Sequence, residues 1–190
     1  MLLIRKSISL FFKVSRYVKN HLRYLTIQLL NEHIFIDNLF RIGNHTVISS
    51  SDGDEITIGN NVSIGANVNI VAKYGSIIIG DNVFIGHGVT IVARKSISIG
   101  KNSQISEYVT IRDQNHRVGT QLIRCSGYDA QTITIGEDVW LGAKSTVLKG
   151  TIIGDKAVIG ANSVVTKDIQ PSTVNAGVPS KCLKLRDVSL

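Results

Sequence analysis

The chain has 190 residues and a mass of 20.7 kDa, which is enough for one ordinary domain with a short arm and too little for two large domains. Hydrophobic residues make up 43% of the chain and aromatic residues only 6%, so the core must be built from aliphatic side chains. The net charge of +7 is concentrated in residues 1–30, which hold six of the 21 basic residues and none of the 14 acidic ones. Residues 31–190 are therefore almost neutral, which argues against a nucleic-acid-binding domain with a basic face.

Residues 1–30 form the first predicted element, a basic arm with the pattern of an amphipathic helix. Two uses of such a helix stay open. It lies on an anionic membrane surface, which would attract it by about 1 kcal/mol per basic residue, or its apolar stripe caps the open end of the following domain. Two cysteines indicate a reducing compartment, and no apolar run is long enough to span a membrane. We therefore expect a cytoplasmic protein, peripheral on the inner face of the membrane if the first use is correct.

Residues 31–190 are dominated by an aliphatic residue that returns every six positions, in six triplets. The 18 positions are Ile36, Ile42, Ile48, Ile58, Ile64, Ile70, Ile79, Ile85, Ile91, Ile99, Ile105, Ile111, Ile135, Leu141, Val147, Ile153, Ile159 and Val165. A period of six fits neither an α-helix nor the alternation of a half-buried strand. It indicates a short strand and a sharp bend, with three such units forming one triangular coil. We therefore predict an all-β domain of about six coils, with these aliphatic residues stacked inside.

The bends and one long interruption complete the pattern. Gly and Asn follow many of the aliphatic positions, and we expect them to form the corners because they tolerate positive φ. The longest gap between triplets separates Ile111 from Ile135, and residues 112–131 leave the repeat as an excursion loop. Long loops of a regular scaffold commonly carry function, so we expect the chemistry to lie in this loop.

The repeats in residues 36–185 resemble those of the hexapeptide-repeat acyltransferases. Residues 133–184, which begin ITIGEDVWLGAKS, are similar to the C-terminal half of the sugar O-acetyltransferases, a branch that includes galactoside, maltose and surface-polysaccharide O-acetyltransferases. The resemblance implies a left-handed parallel β-helix, a hand that general rules of chain connection would not predict. It also implies a homotrimer with active sites at subunit interfaces, acetyl-CoA as co-substrate, a carbohydrate acceptor and no metal.

His116 is the candidate catalytic base. A histidine in a surface loop is ordinary by itself, although its side chain suits proton transfer near neutral pH. Family members carry the catalytic histidine in the same excursion, 24 residues before the Trp of a VW[IL]G motif, and His116 precedes Trp140 by 24. The resemblance further implies that the N–H of Ala143 stabilises the oxyanion and that Trp140 lines the site. The alternative for Trp140 is an outer-surface aromatic that packs under the loop.

The resemblance also suggests binding residues for both substrates. For coenzyme A they are Gly142, Gly160 and Ala161 along the pantetheine arm, and Thr166, Lys167, Lys181 and Lys184 at the nucleotide end. For the acceptor they are His87, Asp113, Arg117, Arg124 and Tyr128. Asp113 is also a candidate to orient His116, with Glu107 or a backbone carbonyl as alternatives. Gly86 stands where galactoside-type enzymes carry an acceptor-binding Asn, so the identity of the acceptor stays open.

Other functions for this fold are less well supported by the residues. A carbonic anhydrase would need three converging histidines, whereas the repeats and loop offer His87 and His116, with His45 on the first coil. A xenobiotic acetyltransferase of the streptogramin or chloramphenicol type shares an NHR motif like Asn115-His116-Arg117 but has a longer excursion. A noncatalytic β-helix scaffold would not require a histidine at this spacing.

Overall fold

The protein is a parallel β-solenoid of about six turns with a helix before it, and it fits the left-handed β-helix. The computed structural model describes residues 14–15, 18, 22–29, 31–37, 39–51, 53–119 and 122–187. Most of the predicted arm before residue 22 lies outside the described residues. Residues 22–29 are helical.

Each coil contributes one strand to each of three parallel sheets, which form the three faces of a prism. Face 1 contains β1 (Ile34–Ile36), β4 (Glu55–Ile58), β7 (Ser76–Ile79), β10 (Ser96–Ile99), β15 (Ile133–Ile135) and β18 (Ile152–Ile153). Face 2 contains β2 (Leu39–Ile42), β5 (Val62–Ile64), β8 (Phe84–Ile85), β11 (Gln104–Ile105), β16 (Trp140–Leu141), β19 (Val158–Ile159), β21 (Thr173–Ala176) and the antiparallel β22 (Lys181–Leu185). Face 3 contains β3 (Val47–Ser50), β6 (Asn69–Ala72), β9 (Thr90–Ala93), β12 (Thr110–Arg112), β17 (Thr146–Val147) and β20 (Val164–Val165). Outside the prism, β13 (Gln114–His116) and β14 (Tyr128–Ala130) form a separate antiparallel hairpin.

The predicted aliphatic ladder is confirmed. All 18 positions are buried, with no more than 5% of any residue exposed. On face 1 the residues of successive coils lie directly opposite one another, in the order Ile36, Ile58, Ile79, Ile99, Ile135 and Ile153. Burial of each such side chain stabilises the fold by about 1.5–3 kcal/mol, before the entropy lost on ordering the chain is subtracted. The ladder therefore supplies most of the core.

The corners differ from the prediction in one respect. Asn residues such as Asn61 and Asn82 do adopt positive φ, at 56° and 57°. The Gly directly after the aliphatic residue is required for another reason, which is the close approach of the next coil. A Cβ on Gly86 would lie 2.7 Å from the backbone nitrogen of Glu107, and one on Gly142 would lie 2.6 Å from that of Ala161. These glycines therefore allow coil stacking, whereas the left-handed turn falls two residues later.

The helix at residues 22–29 packs on the first coil. Tyr24 and Ile27 contact the aliphatic core. The guanidinium of Arg23 donates to the carbonyl oxygen of Ile42 at 3.2 Å, and the amide of Gln28 donates to that of Ile36 at 3.1 Å. On another side the helix leaves Leu22, Leu25 and Leu29 exposed, and Val14 and Val18 earlier in the chain are exposed as well. In the part of the chain that the structure describes, no helix combines the length and apolar character needed to cross a membrane.

Candidate active site

The excursion loop leaves the prism after β12 and returns at β15, at the edge between faces 3 and 1. Its two strands pair so that Gln114 lies opposite Ala130 and His116 lies opposite Tyr128. The N–H of Gln131 donates to the carbonyl oxygen of Asp113 at 2.8 Å and closes the base of the hairpin. The hairpin thus holds His116 on an ordered strand beside face 3.

The contacts of Asp113 favour a structural role over the expected role in orienting His116 or binding the acceptor. Asp113 is completely buried. The carboxylate accepts hydrogen bonds from the N–H groups of Arg94, Lys95 and Ser96, at 2.7, 2.6 and 2.9 Å. Charged acceptors form strong bonds to backbone donors, so Asp113 fixes the turn of the preceding coil and has no oxygen directed to a substrate.

The ring of His116 packs against the ring of Tyr128. Their ring centroids are 4.4 Å apart and the rings are tilted by 39°. The guanidinium carbon of Arg94 lies 3.5 Å from the centroid of the Tyr128 ring and 5.1 Å from that of Tyr74, which is the geometry of a cation–π contact. Arg94 therefore contacts the Tyr128 ring from the side of the prism, and the same ring packs on His116. These two contacts position the imidazole.

A groove of about 380 Å³ runs between the hairpin and face 3. It is lined by outward side chains of four coils and by the hairpin: Val71, Lys73, Val92, Arg94, Thr110, Arg112, Gln114, Asn115, His116, Tyr128, Thr146 and Leu148. The sequence reasoning did not single out Lys73, Arg94 or Arg112. The available signal was positional, because Lys73 and Arg94 both stand three residues after the interior residue of face 3 in consecutive coils.

Within one chain, Trp140 does not line the groove that contains His116. It lies on β16 of face 2, where 51% of the residue is exposed and the indole N–H donates to the hydroxyl of Ser106 at 3.0 Å. Ala143 lies at the corner between faces 2 and 3, three residues before Thr146 of the groove. Among the described residues no oxygen accepts the N–H of Ala143, and the same holds for Ala161 at the equivalent corner. An N–H without an acceptor among the described residues suits an oxyanion donor.

The proposed cofactor residues fall in three places. Gly142, Gly160 and Ala161 lie with Ala143 along the edge between faces 2 and 3, and the N–H of Gly142 donates to the carbonyl of Ile159 at 2.7 Å. This stacking produces a narrow ridge with little side-chain bulk. Thr166 and Lys167 follow β20 at the far end of face 3, whereas Lys181 and Lys184 are exposed on β22.

The remaining acceptor candidates are also dispersed. His87 is exposed at the corner between faces 2 and 3, two coils before Ala143. Arg117 lies just beyond β13, where its N–H donates to the carbonyl of Gly127 at 3.1 Å. Arg124 lies in the exposed 3-10 turn Ile123–Cys125 at the tip of the excursion. Of the five acceptor candidates, Tyr128 is the one that lines the groove with His116.

The hairpin is also held by an ion pair. The ammonium of Lys149 lies 2.7 Å from the carboxylate of Asp129 on β14. This hydrogen bond holds the pKa of Asp129 below its ordinary value, and the charge of Arg117 acts in the same direction.

Within the described ranges there is no cluster of three His, Cys, Asp or Glu side chains suited to a metal ion.

Comparison with known proteins gives the same picture of the fold. Residues 76–106 and 132–167 match the family described as hexapeptide repeat of succinyl-transferase. The chain is 40% identical over 94 residues to the galactoside O-acetyltransferase of Escherichia coli K12, covering 50% of this chain and 45% of that protein. It is 40% identical over 99 residues to the putative lipopolysaccharide biosynthesis O-acetyl transferase WbbJ of the same strain, covering 47% and 50%.

A solved structure extends the likeness to three dimensions. The maltose O-acetyltransferase from Clostridium difficile 630 matches with a TM-score of 0.57 and 29% identity, covering 78% of this chain and 71% of that one. The predicted hexapeptide repeats are therefore confirmed, and the chain is similar over about half its length to sugar O-acetyltransferases. The chain spans about half the length of the two curated relatives named above.

Proposed function

We propose that this hexapeptide-repeat chain is an O-acetyltransferase that moves an acetyl group from acetyl-CoA to a hydroxyl of a sugar, as a step in the synthesis of a bacterial surface polysaccharide. The observation that carries the proposal is the position of His116, on an ordered hairpin beside a groove large enough for a sugar unit. The likeness to a galactoside O-acetyltransferase and to a lipopolysaccharide biosynthesis O-acetyl transferase supports this substrate class.

His116 acts as the general base in the proposed reaction. Its imidazole takes the proton of the sugar hydroxyl while the oxygen attacks the thioester carbonyl. The tetrahedral adduct carries a negative charge, and a backbone N–H such as that of Ala143 stabilises it. The adduct collapses when the C–S bond breaks, and the imidazolium returns the proton to the leaving thiolate. The acetyl group passes directly to the sugar, so no acyl-enzyme is required.

A second subunit would complete this site. In one chain His116 lies beside face 3, whereas Trp140 lies on face 2 and Ala143 at the edge between these faces. A homotrimer with its clefts between neighbours would place the hairpin of one chain against the edge of the next. The same edge, with Gly142, would hold the pantetheine arm, and the positive charges of Lys167 and Lys184 suit the phosphates of coenzyme A.

The helix and arm would place the enzyme at the cytoplasmic face of a membrane. Residues 1–30 contain six basic residues and no acidic ones. The described part of the helix presents an exposed apolar stripe that includes Leu22, Leu25 and Leu29, while Arg23 and Gln28 bond to the first coil. One side of the helix thus caps the domain, and the other is suited to an anionic lipid surface.

The direct test follows thiol release from acetyl-CoA with a panel of acceptors. The panel contains nucleotide sugars, free oligosaccharides, lipid-linked glycans and chloramphenicol. We expect acetyl transfer to a member of the sugar classes. Transfer to chloramphenicol alone would favour the xenobiotic acetyltransferase alternative, and absence of transfer to every member would favour a noncatalytic scaffold.

A further inference from the structure

We propose that the groove beside His116 is a binding site for an anionic group of a sugar, either a carboxylate or a phosphate. The inference rests on the proposed function in one respect only, which is that this sugar is the acetyl acceptor. The binding chemistry follows from three cationic side chains in the groove lining, Lys73, Arg94 and Arg112.

The three cations come from consecutive coils at one edge of face 3. Ala72 of β6 pairs with Ala93 of β9, so the next residues, Lys73 and Arg94, occupy equivalent positions. Arg112 of the following coil pairs with Val92. Neighbouring strands lie about 4.8 Å apart, so the three positions span about 10 Å along the prism. That span matches one sugar unit that carries a charged substituent.

The groove lining carries an excess of positive charge. The groove lining contains no carboxylate. In the described part of the chain, none of the three cations forms an ion pair. Three acids lie near. Asp113 and Asp54 are buried with carboxylate oxygens on backbone N–H groups, and Asp129 is paired with Lys149. Like charges on adjacent strands repel one another, so a ligand of opposite charge would stabilise this arrangement.

A purely structural role accounts for only one of the three cations. Arg94 is partly buried and stacks on Tyr128, where it supports the hairpin. Lys73 and Arg112 are exposed, and neither stacks on an aromatic ring among the described residues. The neutral lining residues Asn115 and Thr110 add hydrogen-bonding groups of the kind that bind sugar hydroxyls. The groove therefore combines fixed positive charge with neutral polar groups, as an acidic sugar requires.

The test is calorimetric binding to the full-length protein with two matched pairs of probes. Trigalacturonate against galactotriose examines the carboxylate, and galactose 1-phosphate against galactose examines the phosphate. We expect the acidic member of at least one pair to bind about tenfold more tightly or better, since hydrogen bonds to charged groups are the stronger ones. The pair that shows the preference identifies the anion. Equal binding within both pairs would overturn the inference.

Variants locate the binding to the groove. Lys73→Gln and Arg112→Gln should each reduce the preference for the acidic probe by about tenfold. The matched control is Lys95→Gln, which removes one exposed charge from the same turn as Arg94 but outside the groove lining, and which should leave the preference unchanged. An equal loss in the control variant would show that general surface charge binds the probe, and the inference would be wrong.

Coenzyme A is the competing anion. Saturating coenzyme A should leave the affinity for the acidic probe unchanged, because its phosphates are assigned to another part of the chain. Displacement of the probe would show that the three cations bind the cofactor, and the inference would be wrong. Binding of an acidic probe without acetyl transfer to any acceptor would contradict the proposed function while the anion site stands.

Discussion

The identity of the base is the first question at the scale of single residues. His116→Ala should lower turnover by about two to four orders of magnitude, the usual contribution of a positioned base, and leave acetyl-CoA affinity nearly unchanged. His33→Ala is the matched control, because this exposed histidine lies just before β1, outside the groove lining. Steady-state kinetics and calorimetry check both variants. If the His116→Ala variant retains more than about a tenth of the turnover, His116 is not the general base.

Asp113 permits a second prediction at the same scale. In Asp113→Asn, an amide replaces a carboxylate that accepts three backbone hydrogen bonds in a completely buried site, so the variant should lose about 1–3 kcal/mol of stability. Asp81→Asn is the control, because exposed Asp81 accepts a single such bond, from Asn60. Urea denaturation measures both losses. A normal stability for Asp113→Asn together with a shifted pH–rate profile would show instead that Asp113 acts on His116.

At the scale of elements, the hairpin depends on its anchor to the neighbouring coil. Lys149 lowers the pKa of Asp129, so the pair stabilises the fold above the ordinary carboxyl range, and this contribution is lost as the pH falls through the lowered pKa. In Lys149→Met the pKa of Asp129 should rise toward its ordinary value. An NMR titration of the Asp129 carboxyl carbon measures the change. An unchanged titration would show that the pair does not form in solution.

The elements also show how far sequence reasoning reaches in this fold. The strands and their stacking follow from the six-residue period, because an interior side chain is required once per strand in every coil. The hairpin has no period, so its pairing of His116 with Tyr128 was not predicted. The role of Asp113 depends on Arg94 and Ser96, which are near it only because coils stack. Contacts between coils at irregular positions therefore escape a reading of the chain alone.

At the scale of the whole molecule, the separation of His116 from Trp140 leads to a prediction about assembly. Light scattering at micromolar concentration should give about three times the mass of the 20.7 kDa chain. Because the proposed site is shared, mixing unfolded His116→Ala and Trp140→Ala chains and refolding them together should restore activity that neither variant has. A monomeric mass, or a mixture as inactive as its components, would contradict a shared site.

The helix on the first coil has a consequence for the ends of the molecule. Strands β1 and β2 are terminal in their sheets, and the carbonyls of Ile36 and Ile42 accept hydrogen bonds from Gln28 and Arg23 instead of from another strand. An uncovered terminal coil would offer unpaired backbone groups to a second molecule. Deleting residues 1–30 should therefore allow two molecules to associate through this end, seen by light scattering as a mass above that of the native assembly. A truncated protein that stays the size of the native assembly would show that the helix is not what terminates the solenoid.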